Sequence, residues 1–148
     1  MANEFLYGQW YIHYSTFPMW LKGDKLYPTF HYAPGRHGQI EDTVRYSKKG
    51  HLKSIKGTDF PVTEKPLHFI WRGKGLLYLL KSRWHIIYVS PQQDWMIIAF
   101  SASLFTPAGY DIVAKKQNLS DAERIDFVNQ FQQLIPNVLI QEVAQASV

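Results

Sequence analysis

Histidines are the residues of this chain best suited to hold a metal ion or to move protons near neutral pH. The 148 residues contain six of them, and no two are four residues apart, the spacing that puts two imidazoles on one face of a zinc-binding helix. One buried histidine can also ligate a haem, and His31 is the candidate for that role. A hydrogen-bonded or exposed imidazole is the simpler interpretation, so we expect neither a metal site nor a cofactor. The six are His13, His31, His37, His51, His68 and His85.

Motifs of the common enzyme classes are missing from the sequence. It has no glycine-rich phosphate loop, no Gly-x-Ser-x-Gly elbow and no paired carboxylates next to a histidine. It also has no cysteine, which excludes disulfides, thiolate metal ligands and cysteine nucleophiles. An enzyme built on this chain would need a buried acid or imidazole with a perturbed pKa. Asp111 and His31 are the first residues to inspect for that role.

The composition favours one β-rich domain spanning residues 1–148. Hydrophobic residues make up 46% of the chain and charged residues 19%, while the aromatic share of 16% is high. Aromatic side chains suit pleated surfaces and apolar cavities. With a net charge of +4, such a chain could stack the bases of single-stranded nucleic acid on exposed rings. Here the rings fall in alternating apolar segments that should be buried, so we expect no nucleic-acid partner.

The N-terminus and the hydropathy pattern bear on location. No basic region followed by an apolar segment precedes the first predicted strand, and no run of about 18 apolar residues occurs anywhere. We therefore expect a cytoplasmic protein without a membrane span. A processed form of an exported protein would have the same sequence features.

Alternation of apolar and polar residues predicts a sheet of antiparallel strands. In the first of them Trp10, Ile12 and Tyr14 share one face. Eight such strands can close into a barrel whose interior is wide enough for one small ligand. The strands are predicted at 9–15, 27–33, 39–47, 51–57, 67–72, 83–89, 95–101 and 109–116, with a short terminal strand at 136–143.

One amphipathic helix follows the last long strand. Ser120 and Glu123 have the spacing of a capping box. Apolar residues then recur at helical spacing until Pro136, which ends the run. Two strand segments, 86–89 and 95–100, are apolar on both faces and need cover outside the barrel, so the helix should pack there. The recurring apolar residues are Ile125, Val128, Phe131 and Leu134.

Two segments resemble signatures of the lipocalin family, above all its short bacterial type. Gly8-Gln9-Trp10 looks like the Gly-x-Trp of that family's first strand. The stretch 109–121 is similar to its last signature, in which an arginine lies against the tryptophan. Lys116 stands at the arginine position. The resemblance therefore implies that Trp10 and Lys116 form a structural pair that closes the base of the barrel through a cation–π contact.

The resemblance also implies a complete fold. We expect an all-β protein, an eight-stranded antiparallel up-and-down β-barrel with one C-terminal α-helix packed outside. In that topology the connections at 33–38, 57–66 and 90–94 lie at the closed base. The mouth is ringed by the connections at 16–26, 47–51, 73–82 and 102–108. Three of these four are apolar, and cations would surround the mouth at Lys48, Lys49, His51, Lys74 and Lys81.

The function that the resemblance implies is binding or transport of a small hydrophobic or amphipathic ligand in the barrel lumen. An apolar mouth with cations at its rim suits a fatty acid or a lysolipid, and it would also suit peripheral membrane contact. The alternative is a lipocalin-fold enzyme acting on an apolar substrate. Strand parity, which a single bulge reverses, and the apolar mouth predict the ligand-binding residues: Ile12, Tyr14, Trp20, Tyr27, Thr29, His31, Trp84, Ile86, Tyr88, Trp95, Ile97, Phe105 and Ile112.

Overall fold

A closed antiparallel β-barrel forms the body of the protein. The computed structural model describes residues 3–104 and 106–147. Within these residues eight consecutive strands pair in order, and the first also pairs with the eighth, which closes the sheet. The predicted up-and-down barrel is therefore confirmed. The strands are β1 (Gly8–Ser15), β2 (Leu26–Pro34), β3 (Ile40–Lys48), β4 (His51–Pro61), β5 (His68–Gly73), β6 (Lys81–Val89), β7 (Trp95–Phe100) and β8 (Gly109–Ala114).

The remaining elements are short, apart from one helix. α1 (Pro18–Leu21) lies in the β1–β2 connection, and α2 (Asp121–Leu134) follows β8. The predicted terminal strand shortens to β9 (Gln141–Glu142), which pairs with the end of β1. None of the helices in the described residues is both long and apolar enough to cross a membrane. Single 3₁₀ turns occupy Glu4–Leu6, Arg36–Gly38 and Gly75–Leu77.

The predicted capping box begins α2. Ser120 Oγ accepts a hydrogen bond from the backbone N of Glu123 at 3.1 Å, and Glu123 Oε1 accepts one from the backbone N of Ser120 at 2.8 Å. The buried helix residues are Phe127 and Phe131, whereas Ile125, predicted on the buried face, is 62% exposed. Phe127 stacks on Trp95 of β7 at a centroid distance of 4.1 Å. The helix therefore packs against the sheet through its buried phenylalanines.

Apolar side chains form two clusters, one inside the barrel and one outside it. The inner cluster includes Trp84, and the outer cluster joins β7 and β8 to α2. Strand β7 contributes to both clusters by alternation, since Met96 and Ile98 belong to the inner one and Trp95 and Ile97 to the outer one. Cover on both faces explains the uninterrupted apolar sequence of this strand.

Register shifts reverse the facing of residues within two strands. Between Ile12 and Tyr14, β1 carries one residue more than β8. Between Ile86 and Tyr88, β6 carries one residue more than β7. An extra residue turns the following side chains to the opposite face. Ile12 and Ile86 consequently belong to the inner cluster, whereas Tyr14 and Tyr88 pack in the outer one.

Candidate ligand-binding cavity

A cavity of about 400 Å³ occupies part of the barrel interior. Its walls come from inward-facing strand residues, and its mouth comes from the β1–β2, β5–β6 and β7–β8 connections. It reaches solvent at Leu79 and Leu104, which line it and are 78% and 89% exposed. Ligand pockets commonly measure about 300–1,000 Å³. The cavity is thus large enough for a small molecule.

Aromatic rings form much of the cavity wall. Tyr32 stacks on both Phe30 and Trp84, with ring centroids 5.8 Å apart in each pair. Phe100 lies 6.4 Å from Phe30 and from Trp84. Phe30 and Tyr32 share the inner face of β2 because they are two residues apart. A ligand in the cavity therefore meets a continuous set of ring surfaces.

Helix α1 forms one lip of the mouth. Pro18 occupies its first turn, where the missing backbone N–H costs no hydrogen bond. Phe17 and Trp20 line the cavity and are each only 6% exposed. Trp20 meets Tyr46 of β3 edge to face at a centroid distance of 5.7 Å. This aromatic contact holds the lip against the barrel.

Two of the predicted mouth cations form ion pairs, and one lines the cavity. The predicted mouth connections at 16–26, 73–82 and 102–108 contribute lining residues, and the lining includes none from 47–51. Lys48 lies 3.9 Å from Asp24, and Lys74 pairs with Glu41. Lys81 lines the cavity and is exposed. It is the rim lysine in position to contact a ligand.

Three aspartates lie inside the barrel. Asp42 and Asp111 line the cavity and are 5% and 1% exposed. Asp59 is fully buried, and its Oδ1 accepts a hydrogen bond from Nε1 of Trp84 at 2.9 Å. Asp42 is within hydrogen-bonding reach of Asp59, and the Ser15 hydroxyl hydrogen-bonds to Asp111. Among the described residues no donor reaches Oδ1 of Asp42, Oδ2 of Asp59 or Oδ1 of Asp111.

Burial raises the pKa values of all three carboxyl groups. Desolvation raises the pKa of Asp111 to about 7, against the opposing effect of the Ser15 hydrogen bond. It raises the pKa of Asp42 to about 6. The pKa of Asp59 lies well above its usual range because of burial first and the neighbouring Asp42 second. Near neutral pH these acids can therefore exchange protons or charge when a ligand binds.

Asp42 and Asp59 were missed by sequence reasoning, which singled out only Asp111 among the acids. In β3 the polar residues Glu41, Asp42 and Thr43 follow one another, so alternation does not indicate an inner face. The available signal was Val44, since an inward Val44 places Asp42 on the same face. Asp42 and Val44 both line the cavity.

Four of the predicted ligand-binding residues lie inside the barrel. Trp20 and Trp84 line the cavity. Ile12 and Ile86 belong to the inner cluster but are not part of the cavity wall. Phe105 falls outside the described residues. The structure thus brings two of the predicted side chains together at the cavity.

Five predicted lumen residues pack instead in the outer cluster with α2. The register shifts in β1 and β6 account for two of them. In β7 and β8 the side chains that were predicted to face the lumen face outwards along the whole strand. Strands that are apolar on both faces give no alternation from which to tell the inner face. The five are Tyr14, Tyr88, Trp95, Ile97 and Ile112.

The residues of β2 that were predicted to face the lumen were also wrong. Phe30 and Tyr32 line the cavity, so the residues that alternate with them face outwards. His31 Nε2 lies 3.4 Å from Arg45, and burial and then the Arg45 charge lower its pKa. The strand is irregular at its start, where its register with β3 shifts and Tyr27 has a φ of 55°. The misplaced residues are Tyr27, Thr29 and His31.

Lys115, and not Lys116, is the cation at the base of the barrel. Lys115 Nζ lies 4.5 Å from the ring centroid of Trp10 and donates a hydrogen bond to the carbonyl oxygen of Tyr7 at 2.5 Å. Lys116 pairs with Glu123 at 2.8 Å. The predicted pairing of Trp10 with Lys116 was wrong because β8 faces inwards at its odd-numbered residues, the opposite parity to that expected.

The histidines contribute no residue to the cavity lining. His13 is buried, and its Nε2 donates a hydrogen bond to the carbonyl oxygen of Lys116 at 2.7 Å. His68 and His85 stack with ring centroids 4.5 Å apart. Across residues 3–104 and 106–147 no group of three His, Asp or Glu side chains is placed to hold a metal ion.

Comparison with known proteins gives structural matches only. No protein-family model matches the chain, and no curated protein matches it. Lobster apocrustacyanin A1 superposes with a TM-score of 0.70 at 16% identity, covering 98% of this chain and 80% of that one. Per a 4, a major cockroach allergen, gives 0.71 at 19%, covering 99% and 89%.

A third match extends over almost the whole length of both proteins. The siderocalin Ex-FABP superposes with a TM-score of 0.71 at 9% identity, covering 98% of this chain and 97% of that one. All three matched proteins are lipocalins with an eight-stranded barrel. Together with the closed barrel and the single outer helix, these matches show that the chain has the lipocalin fold.

Proposed function

We propose that the barrel binds a small, mainly apolar ligand in its cavity. The observation that carries this proposal is the open cavity of about 400 Å³ with its aromatic walls. Burying apolar surface contributes about 0.8 kcal/mol per methylene group, before the cost of immobilising the ligand. Binding therefore needs few polar contacts. One matched structure is of a siderocalin described as functioning through dual ligand specificities, which supports a binding role on this fold.

A fatty acid or a lysolipid fits this proposal in one orientation. Lys81 at the entrance can pair with an anionic headgroup, and the acyl chain can lie along the rings of Phe30 and Tyr32. The opposite orientation would bring the headgroup to Asp42 and Asp111, where like charges repel. This form of the proposal therefore requires that the chain enters tail first.

Peripheral membrane contact is the second part of this proposal. Leu76, Leu79 and Leu104 are 102%, 78% and 89% exposed in the connections at the mouth, where Lys81 also lines the cavity. Exposed apolar side chains beside a lysine favour an anionic lipid surface. We expect the protein to sediment with anionic vesicles and Leu104→Ser to weaken this. Equal recovery with anionic and zwitterionic vesicles would contradict the idea.

An enzyme acting on an apolar substrate is the other candidate function, and Asp111 is the observation that favours it. This residue lines the cavity, and its pKa of about 7 suits a general acid or base. His31, the other candidate for this role, faces outwards. Mass spectrometry of an apolar metabolite pool would test the idea. A product formed by the wild type and not by Asp111→Asn would support it, and unchanged metabolites would contradict it.

Displacement of a neutral fluorescent probe tests the binding proposal directly. Val44 lines the cavity, so Val44→Trp should fill part of it. Thr43, the preceding residue of β3, faces the other side of the sheet, and Thr43→Trp is the matched control. We expect the wild type and Thr43→Trp to bind the probe and Val44→Trp to bind it much more weakly. Equal binding by all three would contradict a ligand site in the barrel.

A further inference from the structure

Two of the residues that line the cavity each have a buried carboxyl oxygen that no donor of the described residues reaches. The oxygens are Oδ1 of Asp42 and Oδ1 of Asp111, and both side chains line the cavity while being more than nine-tenths buried. Buried polar atoms are normally hydrogen-bonded, because burial of an unpaired one costs free energy. These two atoms are therefore suited to accept hydrogen bonds from a ligand.

No side chain of the described residues supplies a counter-ion to this cluster. The ion pairs they form do not include Asp42, Asp59 or Asp111. Lys115 is held at the barrel base, and Lys81 is exposed at the mouth. Asp42 and Asp59 are within hydrogen-bonding reach of each other, so one shared proton leaves that pair with a single negative charge. That pair is matched by one added positive charge.

The same part of the cavity is walled by ring faces. Tyr32 pairs with Asp42 across β2 and β3, and its ring stacks on those of Phe30 and Trp84. Asp59 accepts a hydrogen bond from the Trp84 indole and so fixes that ring. The faces of aromatic rings attract organic cations. Carboxyl groups beside ring faces form an environment that favours an ammonium group and disfavours an anion.

We propose that the cavity selects apolar ligands that carry one protonated amine, whose ammonium group donates a hydrogen bond to Asp42 beside Tyr32. This inference rests on the proposed function, because it names the ligand class of the same cavity. A primary ammonium has three donors, so it can bond the Asp42 carboxyl group. Its charge supplies the missing counter-ion, and the apolar body of the ligand fills the remaining space.

Three probes with the same hydrocarbon chain test the inference. Dodecylamine, dodecanol and dodecanoate, each below its micellar concentration, are used to displace a neutral fluorescent probe from the wild-type protein. We expect dodecylamine to bind about ten- to a hundredfold more tightly than dodecanol, the range for a hydrogen-bonded charge, and more tightly than dodecanoate, whose carboxylate can be paired only at Lys81 among the described residues that line the cavity. The net charge of the protein is +4, so non-specific attraction would favour dodecanoate instead.

Isosteric variants locate the effect. Asp42→Asn should reduce the preference for dodecylamine about tenfold while dodecanol binds as before. Asp126→Asn, which changes an exposed carboxylate on α2, is the matched control and should leave the preference unchanged. The order of the three probes on the wild type decides the question even if an interior variant fails to fold.

The outcomes separate this inference from the proposed function. If dodecanol displaces the probe but dodecylamine is no tighter, the amine selectivity is wrong and the apolar site stands. The inference also fails if dodecanoate binds as tightly as dodecylamine, or if Asp42→Asn keeps the wild-type preference. If none of the three compounds displaces the probe, the proposed function itself is wrong.

Discussion

The indole Nε1 of Trp84 donates a hydrogen bond to Oδ1 of Asp59 at 2.9 Å, and both side chains are almost wholly buried. Trp84 also stacks on Tyr32 and on Phe69, at centroid distances of 5.8 and 4.5 Å. A buried carboxyl group and the aromatic wall of the cavity are therefore tied together by one bond. Loss of that bond affects both the polar cluster and the shape of the cavity.

Replacing Trp84 by Phe removes the donor and leaves the Asp59 acceptor buried and unpaired. We expect the free energy of unfolding to fall by about 2–4 kcal/mol, from the lost bond and the lost ring volume. Urea denaturation measures this change. Asp59→Asn is the control, because Asn keeps an oxygen acceptor for Trp84, and it should cost much less. Equal losses in the two variants would show that the bond does not hold this pair.

The base of the barrel offers a paired test of two adjacent lysines. Lys115→Met removes the contact with Trp10 and the hydrogen bond to Tyr7, so we expect a loss of about 1–2 kcal/mol in unfolding free energy. Lys116→Met removes an exposed pair with Glu123, which is worth about 0–1 kcal/mol. Chemical denaturation of both variants checks the order. A larger loss for Lys116→Met would contradict the assignment of Lys115 as the base cation.

The barrel could be predicted from the sequence because its signals are local. Alternation around Trp10 indicates a strand without knowledge of its partner. The spacing of Ser120 and Glu123 indicates a helix start in the same way. These patterns depend on neighbours in the chain, and the structure confirms the strands and the cap.

The cavity could not be predicted in detail because its lining depends on pairing between strands. The extra residue His13 in β1 exists only relative to β8, and it turns Ser15 inwards towards Asp111. The sequence of β1 alone therefore gives no indication of the bulge. Asp42 was missed for a related reason, since its neighbours in β3 are polar on both faces. The pair of Asp42 and Asp59 therefore emerged only from the three-dimensional arrangement.

The N-cap of α2 can be tested separately from the cavity. Ser120→Ala removes the oxygen that accepts the hydrogen bond from the backbone N of Glu123, and we expect a loss of about 1 kcal/mol in unfolding free energy. Ser120→Asp retains an acceptor and should stay close to the wild type. Chemical denaturation measures both. Equal losses would mean that this hydrogen bond does not stabilise the helix.

Titration of Asp111 should make stability depend on pH. Its pKa is about 7 in the folded protein and about 4 in an unfolded chain, so the folded state binds more protons between these values. The free energy of unfolding therefore falls as the pH rises from about 4 to about 7, by up to roughly 4 kcal/mol. Asp42, whose pKa is about 6, adds a smaller loss with the same sign.

Asp111→Asn should remove its part of this dependence, because Asn stays neutral at every pH. Near pH 3, where Asp111 is protonated in both the folded and the unfolded state, we expect the variant to resemble the wild type, and near pH 8 we expect it to be the more stable protein. Urea denaturation at several pH values gives the difference, in which the other nearby titrating groups, Asp42, Asp59 and Tyr32, largely cancel. Asp126→Asn should follow the wild-type curve. If Asp111→Asn follows it too, Asp111 does not titrate in a buried site.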